Sequence, residues 1–525
     1  MGGKNIVLCS DGTGNIAIKG RGTNVFKLYE AVDIQGHTYD PRLTPQVAVY
    51  GDGIGTKGDV YTKWVTSAFA YGLTRNIIDL YEELVRIYET GDRIYMFGFS
   101  RGAYTIRALV GLIEYCGILD KTKMGDIELR MLVRRCWENF RREAFKRMSE
   151  SERAHKLPKV YTSAEERHRR EQFRAIIDDV HLPEGAVTIE FVGIWDTVAG
   201  ITNVLNWLYP MRFCEGVLSN RLKRVCHALS IDDDRQSFHP ELWNESGCTS
   251  NVDQVWFAGA HSNVGGGYVK HGMSLVALDW MMVEAEKCGL RFIPADRDYV
   301  RSRKYVHDKL YNARAGLGMY YRYEPRNITQ LCRQNNVGLP KIHVSVFERI
   351  AECTGRYAPL NLPCQFEVVQ TNDKRSLLPN ETLRAIEKQM AYVEEAGVGQ
   401  ERNESLLVGM RGTIQSAKMA HYALVATSIS GIAWLSAGKL SLQTVEAICR
   451  WCLFPELPAN YIFSFFGVIV WVWSQNVRIR IEVFTRGYWE GYRGALQEIL
   501  RNAQKQRLSK LADEAVVKGS GIVRS

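Results

Sequence analysis

Apolar runs of strand length alternate with longer helical stretches over the first half of the chain. A helical run from 103 to 118 follows the third of these runs directly. The five predicted strands lie at 4–9, 46–49, 94–97, 188–195 and 255–260. Strands that alternate with helices in this way predict an α/β fold, built on a mostly parallel sheet with helical insertions.

The last part of the chain has a different pattern. A polar, helical connector is predicted at 371–418, and a mostly helical region with two apolar runs, 421–438 and 461–473, fills 419–525. Both runs lack charged residues, but they are near or below the ~20 residues that a membrane-crossing helix needs. The sequence leaves open whether they form a membrane hairpin or buried helices of a soluble domain. The α/β unit would then occupy 1–370.

The strongest chemical signal lies between the third predicted strand and the helix after it. Residues 98–102 read Gly-Phe-Ser-Arg-Gly, and a strand, a sharp turn and a helix are the context that a nucleophile elbow requires. Gly98 and Gly102 suit such a turn because it strains the serine backbone and leaves no room for side chains. Ser100 is therefore the candidate nucleophile.

A serine hydroxyl needs a base and an orienting acid. Asp196 follows the strand at 188–195, and His261 follows the strand at 255–260. In open α/β sheets, ligands bind outside the carboxyl ends of the strands, where these residues would meet Ser100. The chain order Ser100, Asp196, His261 is the order that α/β-hydrolases use.

Other residues compete for these roles. Asp196 can be a turn former or a helix cap, and the aspartates at 232–234 are rival acids. His261 can simply bond the backbone of its glycine-rich loop. His227 and His239 are rival bases, although the apolar neighbours of His227 predict a buried helix face and a satisfied core histidine.

Acyl transfer also needs N–H donors for the developing oxyanion. The backbone N–H of Arg101, directly after the serine, would be one. The loop after the first strand would supply the other from Gly12 or Thr13. A phosphate-cradling loop is the alternative, but the dinucleotide and Walker patterns are missing here. The glycine-rich stretch at 50–56 lines the same edge or is a simple turn.

Four ordered motifs together resemble one family of hydrolase domains. They lie at 11–13, 98–103, 193–198 and 256–268, with a further similar segment at 228–243. The family is the one that contains the type VI secretion phospholipase effectors, and the resemblance covers about residues 4 to 350. It implies an α/β-hydrolase fold and, for some members, phospholipase A activity on bacterial membrane lipids. It also implies the catalytic roles of Ser100, His261 and Asp196. The family commonly has an aspartate where this chain has Asn263.

Composition limits the remaining possibilities. With 525 residues, 46% hydrophobic and 24% charged, the chain predicts a folded protein of two or more units. Its 12 cysteines are scattered, which favours reduced thiols, and the lone C-x-x-C at 449–452 lacks the second pair of a zinc site. No signal peptide precedes the first strand. We therefore expect synthesis in the cytoplasm, with any export by a signal-independent route.

A basic, helical insertion is predicted at 121–180, after the nucleophile helix. Leu129, Leu132, Trp137 and Phe140 recur at helical spacing and indicate amphipathic helices. The insertion is either a lid or membrane-facing surface over the site, or a solvated hairpin whose charges keep it soluble. The net charge of +9 favours anionic lipid surfaces, and no nucleic-acid motif accompanies it.

The sequence thus predicts a serine hydrolase that cleaves carboxylic esters of lipids through an acyl-enzyme. A phospholipase A-type enzyme is the leading interpretation, and a secreted antibacterial role with an immunity or carrier partner comes from the resemblance alone. The alternatives are an esterase or thioesterase for a soluble acyl substrate, and a catalytically idle, membrane-associated binding module. This chemistry requires no metal and no organic cofactor.

Overall fold

A single parallel sheet organises the N-terminal part of the molecule. In the computed structural model, the described residues contain eight strands in the order β2-β1-β3-β4-β5-β6-β7-β8. Every neighbouring pair is parallel. The strands are β1 Asn5–Ser10, β2 Gln46–Gly51, β3 Arg93–Phe99, β4 Thr188–Trp195, β5 Arg224–Ser230, β6 Asn251–Phe257, β7 Lys341–His343 and β8 Glu367–Val369.

The structure describes most of the chain, with several gaps. The described residues are 3–12, 22–51, 66–146, 180–182, 187–198, 222–246, 251–372, 377–391, 409–437 and 458–521. Residues 52–56 of the glycine-rich stretch predicted at 50–56, the C-x-x-C at 449–452 and residues 147–179 of the basic insertion lie outside them.

Helices cover both faces of the sheet and form the C-terminal region. Those of the sheet region are α1 Asn24–Ala31, α2 Gly36–Tyr39, α3 Thr66–Ile87, α4 Arg101–Cys116, α5 Asp126–Lys146, α6 His261–Gly265, α7 Gly272–Lys287, α8 Pro294–Arg303, α9 Ile328–Gln334 and α10 Ser345–Ala351. The later ones are α11 Asn380–Ala391, α12 Arg411–Ala437 and α13 Pro458–Gly521.

Alternate residues of the strands belong to opposite layers of the core. In β1, Ile6 and Leu8 pack with α3, α4 and α5. Val7 and Cys9 pack with α1 and α7 on the other face. Burial on both faces explains why the strand sequences are nearly continuous apolar runs. The α/β fold with a parallel sheet is therefore confirmed.

The predicted strand positions were mostly right, with one wrong assignment. The run around His227, predicted to be a helix face, is the strand β5. A short, fully buried apolar run is compatible with a buried helix face as well as with an interior strand. Here the run pairs with β4 and β6 and is a strand. The fifth predicted strand begins four residues earlier and ends at Phe257. No strand was predicted at β7 or β8, which have three residues each.

The described part of the basic insertion packs against the sheet domain. Leu129, Leu132, Trp137 and Phe140 are all buried in the core cluster that contains α3 and α4. The amphipathic helix predicted there is α5. Residues 147–179, on which a lid would depend, lie outside the described residues.

The two C-terminal helices differ from the predicted boundaries. The end of the predicted connector, 411–418, runs without a break into the first apolar run, because both lie in α12. The second apolar run lies in the first part of α13, and the whole helix is 64 residues long. The far part of α13 is joined to the sheet domain: Trp489 donates from Nε1 to the Pro359 carbonyl at 2.9 Å. Among the described helices, none has the combination of length and apolar character that would let it cross a bilayer.

Candidate active site

Ser100 lies at the turn between β3 and α4, in a strained conformation. Its φ of 58° and ψ of −119° are sparsely populated for a residue with a side chain. The Ser100 N–H donates to the Trp195 carbonyl of β4 at 3.0 Å, which ties the turn to the neighbouring strand. The strand, the sharp turn and the helix that the pentapeptide predicts are all present.

The two glycines of the pentapeptide are required by close backbone contacts. A Cβ on Gly98 would lie 2.6 Å from the Gly102 carbonyl oxygen. A Cβ on Gly102 would lie 2.1 Å from the Ser10 carbonyl oxygen, at the carboxyl end of β1. Both distances are far below van der Waals contact, so the turn excludes any side chain at 98 and 102. The second contact also places the end of β1 beside the turn, where the strand order reverses and open sheets form their clefts.

His261 and Asp196 meet Ser100 at this edge of the sheet. The imidazole Nε2 is 2.8 Å from Ser100 Oγ, and Nδ1 is 2.6 Å from Asp196 Oδ2. Asp196 directly follows β4, and three residues separate the end of β6 from His261, which begins α6. The three side chains predicted from the sequence are therefore in one hydrogen-bonded chain, with the spacing that a Ser-His-Asp site requires.

The Asp196 carboxylate is fully buried and receives donors from two directions. Ser230 donates its N–H to Oδ1 at 2.9 Å and its hydroxyl to Oδ2 at 3.1 Å. The Arg326 guanidinium binds both oxygens, at 2.6 Å and 2.8 Å. Burial alone would raise the pKa of Asp196, but the charge and hydrogen bonds of Arg326, with those of His261, hold it well below its usual value. The acid therefore stays ionised.

Sequence reasoning missed Arg326. It lies in the irregular segment between a 3-10 turn, Gly316–Tyr320, and α9. It has no exposed surface and also donates to the carbonyls of Ser230 and Phe238. An arginine outside any motif gives no local signal, because its partner lies 130 residues away.

Aromatic rings surround the His261 imidazole. The Phe99 ring centroid is 4.6 Å away in a tilted arrangement, and that of Phe238 is 5.1 Å away, edge-on. Tyr321 meets Phe238 edge-on at 5.5 Å. These rings limit the access of water to the imidazole and present an apolar wall beside Ser100, which suits an acyl chain.

Two of the rival aspartates, Asp232 and Asp233, accept hydrogen bonds from backbone N–H groups near His261. Asp233 accepts the His261 N–H at 3.2 Å and forms a two-point pair with Arg235 at 2.9 and 2.7 Å. Asp232 accepts the Gly259 N–H at 2.6 Å and the Tyr357 hydroxyl at 2.9 Å, and burial raises its pKa to about 6. Both carboxylates thus hold the loop that carries His261, whereas Asp196 meets the imidazole.

The rival histidines bond to other partners. His227 is buried in β5, where Nε2 accepts the Thr197 N–H at 3.2 Å and Nδ1 lies 3.3 Å from Gln254 Oε1. Burial, aided by the Arg107 charge, lowers its pKa to about 3. It is a satisfied core histidine, on a strand rather than on a helix. His239 Nε2 lies 2.8 Å from the Glu324 carbonyl oxygen.

The predicted oxyanion donors are only partly described. Arg101 is the first residue of α4, so its N–H is at a helix N-terminus. The Gly12 N–H donates to its neighbour Asp11 at Oδ1, 2.6 Å away. Asp11 Oδ2 also accepts the Thr23 and Tyr50 hydroxyls, each at 2.6 Å. Thr13 lies outside the described residues.

Asn263 uses both ends of its amide. Its Nδ2 donates to the Lys309 carbonyl at 3.0 Å, and its Oδ1 accepts the Tyr311 N–H at 3.2 Å. An ionised aspartate could not make the first of these bonds. In the described part of the chain, no group of three or more His, Cys, Asp or Glu side chains could hold a metal ion.

Comparison with known proteins adds a family match. The family model described as "T6SS, Phospholipase effector Tle1-like, catalytic domain" matches residues 4–284, more than half of the chain. Uncharacterized protein YEL023C of Saccharomyces cerevisiae is 30% identical over 275 residues, which are 48% of this chain and 36% of that protein. The chain thus spans about a third of the length of this curated relative.

Two solved structures are also similar. One is the Tle1 effector bound to the VgrG spike from the type 6 secretion system, with 12% identity and a TM-score of 0.34. That alignment covers 61% of this chain and 78% of the other. The second is an uncharacterized protein from Pseudomonas aeruginosa, with 15% identity and a TM-score of 0.32, covering 91% of this chain and 63% of the other.

Proposed function

This chain belongs to the Tle1-like family of type VI secretion phospholipase effectors, and from that premise we propose that it is a serine hydrolase that cleaves the carboxylic esters of phospholipids. Phospholipase A-type cleavage is the specific reaction proposed. The catalytic unit would be 1–370, with 371–418 as a connector and 419–525 as an accessory helical region. No metal or organic cofactor takes part.

In the first half of the reaction, Ser100 forms an acyl-enzyme. The Oγ attacks the ester carbonyl carbon while its proton passes to His261 Nε2, which lies 2.8 Å away. The imidazolium that results is stabilised by Asp196, whose carboxylate stays ionised and accepts a hydrogen bond from Nδ1–H. When the tetrahedral intermediate collapses, the bond to the lysophospholipid oxygen breaks and His261 returns the proton to that oxygen.

The second half repeats this chemistry with water. His261 takes a proton from water, the hydroxide attacks the acyl carbon, and the fatty acid leaves as Ser100 Oγ recovers the proton. In both halves the oxyanion would accept from the Arg101 N–H and from the N–H of Gly12 or Thr13. Gly12 can serve only after its N–H leaves Asp11 Oδ1.

The observation that carries this proposal is the hydrogen-bonded chain at a strained turn. Ser100 has a positive φ, its Oγ meets a histidine, and that histidine meets a buried carboxylate. Such strain persists only where the surrounding structure enforces it, and it concentrates at functional sites. A structural role for the same three side chains would not require the strained serine.

A lipid surface is the proposed substrate environment. The first part of α13 exposes Phe465, Phe466, Trp471 and other large apolar side chains, and no acidic residue occurs between 465 and 481. Arg478 and Arg480 follow on the same helix, and Arg478 also pairs with Glu482 at 2.9 Å. Exposed aromatic residues beside positive charges suit the interface of an anionic membrane.

Two biological settings fit this chemistry. As an effector, the protein would leave the cytoplasm by a route that needs no signal peptide, with a carrier or an immunity protein as partner. As a resident enzyme, it would act on the lipids of its own cell. The relative in Saccharomyces cerevisiae favours this second setting, because a sequence 30% identical over 275 residues occurs in a yeast.

The decisive experiment measures fatty-acid release from mixed phospholipid vesicles by the purified full chain. It is run beside Ser100→Ala and beside Ser302→Ala, which removes a serine hydroxyl on α8 that bonds only a helix carbonyl at 3.1 Å. We expect release by the parent and by Ser302→Ala, and a loss on the order of 10⁴-fold or more in Ser100→Ala. Phospholipids labelled in one acyl chain then report the position that is cleaved.

The other outcomes each select an alternative. Release that persists in a folded Ser100→Ala protein would refute the serine mechanism. Cleavage of soluble acyl esters without vesicle hydrolysis would indicate an esterase or thioesterase. A parent that cleaves neither, and whose Ser100 does not react with a fluorophosphonate, would be an idle binding module.

A further inference from the structure

The carboxylate of Asp196 has two side-chain partners of different kinds, an imidazole and a guanidinium. His261 meets Oδ2, and the Arg326 fork meets both oxygens. We propose that Arg326 is a positioning residue of the hydrolase site, which fixes the orientation of the Asp196 carboxylate and through it the His261 imidazole. This inference rests on the function proposed above.

The geometry of the pair favours orientation over simple charge balance. A guanidinium that binds both oxygens of a carboxylate fixes its plane, which a single point charge would not do. The Nδ1 to Oδ2 distance of 2.6 Å depends on that plane, and so does the direction of Nε2 towards Ser100. Neither Asp196 nor Arg326 has exposed surface, so no water can replace a lost partner from bulk solvent.

Arg326 also bonds to the backbone of Phe238, one of the rings around His261. Its second set of bonds goes to the Ser230 carbonyl at 2.6 Å and the Phe238 carbonyl at 2.5 Å. Ser230 donates to Asp196, and the Phe238 ring packs edge-on against His261. One guanidinium therefore connects the acid, the strand end beside it and the ring that covers the base.

Charge balance in the buried site supports the same role. Before the reaction, Arg326 neutralises Asp196, and Arg235 neutralises Asp233. In the tetrahedral intermediate, the new imidazolium is balanced by the new oxyanion. The net charge of these four residues, the imidazole and the substrate oxygen is zero in both states, which suits a site with little water. Without Arg326, both states would carry one unbalanced negative charge.

The segment that carries Arg326 is well anchored. Its neighbour Asn327 caps α9 by accepting the Gln330 N–H at 3.0 Å. Glu324 donates its N–H to the Asp234 carbonyl at 2.8 Å, and Tyr323 bridges to Arg235. The segment that carries the guanidinium thus lies beyond the residues matched by the family model, which end at 284.

The pH dependence of the site provides a signature of this role. His261 and Arg326 face Asp196 directly, while Asp233 and His227 are the next ionisable groups around it. Arg326 lowers the pKa of Asp196 against the opposite effect of burial. If the guanidinium is removed, Asp196 takes up a proton at a higher pH, so activity is lost earlier as the pH falls.

The test compares Arg326→Met and Arg326→Lys with Arg349→Met. Arg349 is an equally buried arginine, but it donates to the carbonyls of Val306 and Asp308 instead of to a carboxylate. Each purified full chain is measured for thermal unfolding, for the rate of Ser100 labelling by a fluorophosphonate, and for kcat and KM on a soluble ester from pH 5 to 9.

We expect Arg326→Met to lower labelling and kcat on the order of 10–100-fold, with KM within a few-fold and the acid limb at higher pH. Arg326→Lys keeps the charge without the fork, so it should recover part of the rate. It also provides the test if the methionine variant does not fold. Arg349→Met should unfold at a lower temperature but keep its kcat and pH profile.

The outcomes separate this inference from the proposed function. A parent whose Ser100 is not labelled, and which cleaves no ester, refutes the proposed function and the inference with it. A parent that is labelled, beside a folded Arg326 variant with the parental rate and acid limb, refutes the positioning role alone. The same result follows if Arg349→Met loses kcat as much as Arg326→Met does.

Discussion

The carboxyl edge of the sheet and the first part of α13 treat their side chains in opposite ways. At the sheet edge, charged groups such as Asp196, Asp233 and Arg326 are buried and paired. On α13, Phe465 and Trp471 are 64% and 50% exposed to solvent. An isolated charge is costly to bury, and an isolated apolar ring is costly to expose to water. The sheet edge does the first and α13 does the second.

Under the proposed function, this difference separates the place of the reaction from the surface that contacts lipid. Buried charges persist because their partners are fixed in advance, which is what a reaction centre needs. The apolar rings on α13 are instead largely exposed and suit a contact made with something outside the chain. Further along α13, Trp489, Tyr492 and Leu496 are buried against the sheet domain, so a single helix joins the two regions.

The largest expected effect is a difference in kcat between variants of two aspartates at the sheet edge, Asp196 and Asp232. Asp196→Asn should lower kcat on soluble ester and on vesicles by about 10⁴-fold, because the amide cannot hold the imidazole in the required tautomer. Steady-state kinetics on the folded variant measures this loss.

The matched control is Asp232→Asn, since one amide oxygen can still accept from both Gly259 and Tyr357. It should stay within a few-fold of the parent. Should the two variants exchange these behaviours, Asp196 would not be the acid.

The next effect contrasts two tryptophans on α13. Trp489→Ala should lower the free energy of unfolding by about 3–5 kcal/mol, because it leaves a cavity beneath the helix and orphans the Pro359 carbonyl. Trp471→Ala should change it by less than about 0.5 kcal/mol, since that ring is already half exposed. Urea unfolding compares them, and equal losses would mean that the first part of α13 is also packed.

A smaller effect concerns the exposed rings and lipid. The double variant Phe465→Ser with Trp471→Ser should weaken partition into anionic vesicles by about 10-fold for each ring, if roughly half of each side chain's burial energy is lost. Hydrolysis of a soluble ester should not change. Vesicle sedimentation measures the partition.

Its control is Tyr39→Ser with Leu339→Ser, which removes two large exposed side chains far from α13 in the sequence. If both double variants bind vesicles equally well, the exposed part of α13 is not the lipid contact.

The smallest effect is a change in the pH dependence of stability. Burial raises the pKa of Asp232 from 3.8 to about 6, so the folded state binds its proton more tightly than the unfolded chain. This group stabilises the fold below pH ~4, and its contribution is lost as the pH rises through about 6. Asp232→Asn should remove a slope on the order of 1 kcal/mol per pH unit between those values, as thermal unfolding at a series of pH values would record. An unchanged slope would assign it to another group.

Much of the sheet could be predicted because its strands are buried on both faces. Runs such as 94–97 are apolar throughout, and helices separate them. The turn at Ser100 was predictable for a different reason, since its glycines are required by contacts of 2.6 and 2.1 Å. His227 was placed on a helix because a short apolar run has no periodicity that distinguishes the two states.

Other features depend on contacts that no local pattern encodes. The three-residue strands β7 and β8 form because a neighbouring strand edge is available to them. Arg326 carries no signal in its own segment, since it is defined by a carboxylate 130 residues earlier. The length of α13 was missed because its apolar and basic halves look like separate elements in the sequence.

The position of Arg326 has a consequence for how this domain can be moved between proteins. The recognisable family segment ends at 284, inside α7, but the sheet continues to Val369. A polypeptide cut at 284 would leave β6 as an open edge with unpaired backbone groups, and it would bury the Asp196 carboxylate without its guanidinium. Such a fragment should aggregate rather than fold. Gene fusion or domain shuffling would therefore have to transfer the whole sheet, up to about Val369, and not only the segment that the family model recognises.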